Sequence, residues 1–244
     1  MVPIRGTLVA PNRLCQNFDR HEPFKRCMSL GVYFARANMN KPVFQPAGNY
    51  YDKYGTANPI ARRLMAGFLT AFDASANEAG PPSRALEIGC GEGELSIRLA
   101  RAGWQVGGCD IAPEAIVEAR RRATAGGVNV PFSVESIQSA VRRFEPVPLV
   151  VCCEVLEHLE DANEALSALA ALSTQYVLVS VPREPIWRAL NMARLKYLAD
   201  LGNTPGHVQH WSRRGFLSHL RSRFDVINVR TPLPWTMALC RVRR

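Results

Sequence analysis

ALEIGCGEGELSIRLA, residues 85–100, decides the fold. Its apolar start predicts a strand, its apolar repeat after Glu94 predicts a helix, and Gly89, Gly91 and Gly93 fall between the two. Glycines there let the backbone turn sharply and approach a ligand with no Cβ in the way, and the N–H groups that open the helix favour an anionic group. Such a loop on its own is also compatible with simple tight turning. The next apolar run, VGGCD, ends on Asp110. This is close to the separation, roughly 20 residues, at which an acid at the second strand end reaches ribose hydroxyls. Loop and acid together call for a nucleoside-bearing cofactor.

Outward from this stretch, short apolar runs alternate with helical ones. RALEI, WQVGGCD, NVPFSV, VPLVVC and QYVLVSV read as strands, and ELSIRLARAG, PEAIVEARRRATAG and DANEALSALAAL as helices between them. Runs this apolar suit strands buried on both faces of a parallel sheet, so the expected class is α/β, a doubly wound, mostly parallel, seven-stranded Rossmann-like sheet. RFDVINVR, TPLP and WTMALCRV leave no room for a crossover helix and predict an antiparallel terminal hairpin at the far edge. Upstream, Ile60, Leu64, Phe68, Leu69 and Phe72 repeat at three and four, with Asn58 as N-cap and Pro59 at N1. The expected division is an irregular arm over 1–48, a helical lid segment over 49–80, and a core over 84–244 with a helical insertion at about 183–202.

With 244 residues and 47% hydrophobic content, the chain can bury one sizeable core. No apolar run reaches the roughly 18 residues that a membrane span needs. The formal charge of +9 suits RNA, a phosphorylated substrate or an anionic membrane surface, or a solvated basic face such as Arg120, Arg121 and Arg122. Seven cysteines show neither a CxxC pair nor zinc-like spacing. They read as small buried residues, and a cytoplasmic setting is expected.

The glycine register separates the possible cofactors. A dinucleotide fingerprint places its third glycine where Glu94 stands, and here the glycine falls one residue earlier, at Gly93. Glu87, the Gly89, Gly91, Gly93 spacing, Asp110 and the terminal hairpin resemble the class I S-adenosylmethionine-dependent methyltransferase family over roughly residues 49–244. The resemblance implies that Gly89, Cys90, Gly91 and Gly93 meet the methionine end of the cofactor, with Glu87 supporting its amino group through the loop. Asp110 would hold the ribose hydroxyls and Ile111 the adenine face. Glu135 or the backbone of Ser136 would meet the adenine amino group, Cys153 and Glu154 would border the sulfonium, and Tyr50, with Tyr54, would close over it.

Methyl transfer to oxygen needs an aligned acceptor and a way to remove its proton. In CCEVLEHLED, residues 152–161, a helix starting near Glu154 would bring Glu157 and His158 to one face. EVLEHLED resembles two metal-using branches of the family, the ubiquinone-pathway O-methyltransferases and the terminal-ribose methyltransferases of small RNAs. That resemblance implies a divalent cation such as Mg2+ on Glu154, Glu157 and His158, and the RNA branch adds a later histidine that His207 would match. Without a metal, His158, His207 or His210 could act as base, or His158 could merely cap and pack. In the insertion, Ile186, Leu190, Ala193, Tyr197 and Leu201 form a stripe flanked by Arg183, Arg188, Arg194 and Lys196, suited to core packing, an acceptor-pocket cap or peripheral membrane contact. The expected function is S-adenosylmethionine-dependent O-methylation of a small-molecule acceptor. The alternatives are an RNA terminal-ribose methyltransferase and an NAD-dependent oxidoreductase.

Overall fold

The computed structural model describes residues 58–243; the expected arm, Tyr50 and Tyr54 lie outside them. Seven strands form one sheet: β1 (Arg84–Ile88), β2 (Gln105–Asp110), β3 (Phe132–Val134), β4 (Val147–Cys153), β5 (Ser173–Pro182), β6 (Phe224–Arg230) and β7 (Trp235–Val242). Their order is β3-β2-β1-β4-β5-β7-β6. The first five are parallel, and β7 runs antiparallel between β5 and β6. The terminal hairpin is therefore present at the far edge, as its short turn requires.

Strand alternation builds two cores. Leu149, Val151 and Cys153 of β4 join one apolar cluster, while Val150 and Cys152 join the other. The first cluster is covered by α1 (Pro59–Glu78), α2 (Glu94–Arg101) and α3 (Pro113–Ala125), and the second by α4 (Ile137–Arg143), α5 (Ala162–Leu172) and α7 (Arg213–Arg221). Helices on both faces make a doubly wound α/β fold. In α1, Asn58 Oδ1 accepts from the N–H groups of Ile60 and Ala61, and Pro59 takes the first position, where its missing N–H costs nothing. Met65, Phe68 and Phe72 are buried in the same cluster as Trp235, Met237 and Leu239 of β7. Arg98 pairs bidentately with Asp73 and ties α2 to α1.

Three local readings change. α4 was not expected, because its single buried turn is too short for a periodic pattern; a capping box between Ser136 and Ser139 starts it. The insertion is not one long helix: α6 (Ile186–Ala193) stops, and a 3-10 turn follows at Leu198–Asp200. Leu195, Tyr197 and Leu201 adopt left-handed backbone there, which interrupts the helical stripe. Likewise, no helix starts at Glu154, whose φ is 61°; a 3-10 turn, Leu156–His158, replaces it.

Candidate functional site

The strand order reverses between β1 and β4, and in such sheets ligands bind in the crevice beyond the carboxyl ends of the strands at that switch point. The glycine loop follows β1 there. Gly89 and Cys90 donate their N–H groups to the carbonyl of Cys109, at 2.8 and 2.9 Å, so the loop is tied to the end of β2. Gly89, Gly91 and Gly93 have φ of 71°, 50° and 83°, which glycine alone adopts without strain. A Cβ at Gly89 would sit 2.3 Å from Cγ2 of Val155, in the loop after β4. α2 begins after Gly93 with no side-chain cap, the arrangement that leaves first-turn N–H groups for an anionic group.

Asp110 closes this half of the crevice. Its Oδ2 accepts from the Gly91 N–H at 2.8 Å and its Oδ1 from the Ala112 N–H at 2.9 Å, which fixes the carboxylate between the glycine loop and α3. Each carboxylate oxygen can accept a second hydrogen bond, so both can still meet ribose hydroxyls. Ile111 and Val134 offer exposed apolar surface beyond β2 and β3. Glu135 donates its N–H to the Asp110 carbonyl and accepts from the Ser139 hydroxyl at 2.6 Å. The Ser136 N–H donates to that same hydroxyl oxygen as part of the cap. Glu87 lies beneath the loop, buried, and accepts from the Ser96 hydroxyl of α2. Burial pushes its carboxyl up to about 8, against the lowering effect of the Ser96 bond, with Asp110 and Glu94 adding repulsion. Burial also raises the thiols of Cys90, Cys109, Cys152, Cys153 and Cys240, so they are packing groups rather than nucleophiles.

The loop after β4 builds the other half. Glu154 donates its N–H to the Ser180 carbonyl, and its carboxylate accepts from the Ser180 hydroxyl at 3.0 Å and from the Trp235 indole at 2.6 Å. Trp235 reaches it because it stands opposite Pro182 in the antiparallel pairing. The 3-10 turn then presents Glu157 and His158. The Glu157 carbonyl accepts from the N–H groups of Val208 and Gln209, and the Gln209 amide donates to the carbonyls of Leu159 and Glu160. These bonds dock the segment after α6 onto the turn and bring His207 to Glu157 and His158: one ligand atom from each lies within 4.8 Å of the others. His158 Nδ1 is 3.0 Å from the Gly206 carbonyl. A carbonyl only accepts, so a neutral His158 carries its proton on Nδ1 and keeps Nε2 as acceptor or ligand. The His207 ring lies edge to face with His158 and stacks on Trp187, which continues through Trp235 to Phe68 as an aromatic row.

Of the residues expected at the acceptor side, Glu157, His158 and His207 come together. Glu154 does not join them, because its carboxylate is held by Ser180 and Trp235. His210 is exposed on the loop, with Nε2 2.8 Å from Asn203 Oδ1. Sequence reasoning missed Trp235, Trp187, Ser180 and Thr204, whose hydroxyl accepts from the Trp187 indole at 2.9 Å. The only sequence signal for Trp235 is its position at the start of the last strand.

Residues 86–175 match a methyltransferase domain family. The chain is 33% identical over 159 residues to a ubiquinone biosynthesis O-methyltransferase of Xanthomonas axonopodis pv. citri, covering 64% of this chain and 65% of that protein. The relative of the same name from Xanthomonas euvesicatoria is 35% identical over 123 residues, 49% of this chain and 52% of that protein. The chain thus spans less than two thirds of the length of these relatives. In fold it is similar to magnesium protoporphyrin IX methyltransferase from Synechocystis PCC 6803 with bound SAH, with a TM-score of 0.61 and 22% identity over 78% of this chain and 90% of that one. The N-methyltransferase NodS from Bradyrhizobium japonicum, with bound S-adenosyl-L-homocysteine, gives a TM-score of 0.56 and 19% identity over 77% of this chain and 90% of that one. The glycine loop and Asp110 meet at the switch point within residues 86–175, the segment that matches the methyltransferase domain family.

Proposed function

We propose that this protein transfers a methyl group from S-adenosylmethionine to a hydroxyl of a small-molecule acceptor. The observation that carries the reading is the convergence of Glu157, His158 and His207 beside a glycine loop that a single Cβ would obstruct. The names of the relatives support oxygen as the acceptor atom. The bound cofactor supplies a methyl group on a sulfonium. In this reading Asp110 accepts from the ribose hydroxyls, the α2 amino-terminal N–H groups meet the carboxylate end, and Ile111 and Val134 cover the adenine. The row of Phe68, Trp235, Trp187 and His207 walls the acceptor side and excludes water. Without a cation, His158, with Nδ1–H held by Gly206, would take the acceptor proton at Nε2.

One carboxylate and two imidazoles also fit a divalent cation. This donor set suits Mn2+ or Zn2+ better than Mg2+, which prefers oxygen ligands. Held by Glu157, His158 and His207, a cation supplies Lewis acidity for the acceptor hydroxyl. Methyl transfer to a panel of dihydroxyphenols, with and without EDTA and metal re-addition, tests both levels. The expected result is activity that EDTA abolishes and Mn2+ restores. Activity indifferent to EDTA would remove the cation, and NAD binding without S-adenosylhomocysteine binding would remove the reading itself.

A further inference from the structure

We propose that Glu87 selects for the amino group of the cofactor: it carries a proton in the free protein and releases it when an ammonium settles on the glycine loop. This inference rests on the methyltransferase reading above. The place of Glu87 is built into the packing. It stands in β1 opposite Gly108 of β2, is 3% exposed, and accepts from the hydroxyl of the fully buried Ser96 of α2. A Cβ at Gly108 would lie 3.0 Å from that hydroxyl oxygen, so the glycine makes room for Ser96 to reach Glu87. Leu86 and Ile88, on either side in β1, are apolar and buried. An ionised carboxylate in such a place is costly unless a cation pairs with it. The charged side chains that act on Glu87 are two acids, Asp110 at the end of β2 and Glu94 at the start of α2. The other titratable groups coupled to it, from the loop, β2 and β4, are the thiols of Cys90, Cys109, Cys152 and Cys153. None of these supplies a positive charge. Burial therefore raises the carboxyl to about 8, Ser96 lowers it, and the two acids add to the rise.

A ligand can bring the missing charge. The uncapped N–H groups that open α2 favour the carboxylate of the methionine end. The ammonium of that end sits on the same carbon as the carboxylate, so it comes down on the loop that Glu87 underlies. Gly89, Gly91 and Gly93 put no side chain in its way. An opposite charge within about 4–6 Å lowers a carboxyl by about 1–3 pH units, which at neutral pH turns a mostly protonated Glu87 into an ionised one. The proton leaves to solvent, and ammonium and carboxylate remain as a pair. A nucleoside that lacks the amino acid, such as 5′-methylthioadenosine, still offers ribose to Asp110 but leaves Glu87 protonated.

Calorimetric titration of S-adenosylhomocysteine and of 5′-methylthioadenosine into the full chain at pH 7, in buffers of different ionisation enthalpy, counts the protons released. The expected count is about 0.4 to 0.9 proton per S-adenosylhomocysteine, with affinity rising about two- to eightfold from pH 6 to pH 7. For 5′-methylthioadenosine the expected count is zero. Glu87→Gln, a neutral isostere of the protonated acid, should bind S-adenosylhomocysteine about tenfold more weakly at pH 7 and release no proton, whereas Glu94→Gln should keep the release. If Glu87→Gln does not fold, the two ligands compared on the wild type still decide. Tight binding of S-adenosylhomocysteine without proton release would overturn the inference and leave the methyltransferase reading standing. Equal release with 5′-methylthioadenosine, or undiminished release by Glu87→Gln, would do the same. Binding of neither ligand would overturn both.

Discussion

The two halves of the crevice are held by different means. On the β1–β2 side, residues 87–112 form a continuous unit in which backbone N–H groups of the glycine loop bond to the Cys109 carbonyl and the Asp110 carboxylate. On the β4–β5 side, side chains are held by groups from far away in the chain: Glu154 by the Trp235 indole, 81 residues on, and His158 by the Gly206 carbonyl, 48 residues on. The first half needs particular backbone conformations, and the second needs particular tertiary neighbours. Substitutions in the first should therefore destroy binding, whereas those in the second should change chemistry.

The largest expected effect belongs to Gly89→Val. A Cβ 2.3 Å from Val155, on backbone at φ 71°, displaces the loop, and S-adenosylhomocysteine affinity measured by calorimetry should fall by more than about 100-fold. Glu157→Gln should instead leave that affinity in place while the rate of methyl transfer drops by roughly 10- to 100-fold. Next comes Glu87. Its carboxyl is raised in the fold from 4.5 to about 8, so between those values the folded chain keeps a proton that the unfolded chain releases. Stability must then fall as pH rises through that window, by up to about 1.4 kcal/mol per pH unit. Urea titrations of Glu87→Gln across the window should lack this slope; the same slope in the variant would assign it to other groups. Trp235→Phe removes one donor to a carboxylate, and a rate loss of about tenfold with cofactor affinity retained would match a positioning role for Glu154. Smallest is His210→Ala, expected within about threefold of wild type, since its partner is Asn203 on the same loop.

The same difference explains what could be read without coordinates. The β1 strand, the glycine turn and α2 are successive in sequence, and Asp110 ends the next strand, so local pattern and spacing carry them. Asn58 and Pro59 likewise announce α1. Glu157, His158 and His207 could be grouped from the sequence only through the family resemblance, because the bonds from Val208 and Gln209 to the Glu157 carbonyl that unite their two stretches have no sequence signature. Glu154 misled for the same reason. Helical spacing put it beside Glu157, yet its left-handed backbone turns it toward a tryptophan whose place depends on the register of β7 against β5. The long insertion helix failed where Leu195, Tyr197 and Leu201 leave helical backbone, positions with no glycine or proline to mark them.

Calorimetric titration of S-adenosylhomocysteine into wild type, Asp110→Ala and His207→Ala tests the division of the crevice most directly. The division predicts that Asp110→Ala weakens binding by about 10- to 100-fold and that His207→Ala stays within about threefold of wild type. Undiminished binding by Asp110→Ala, or a loss in His207→Ala as large as that in Asp110→Ala, would contradict it.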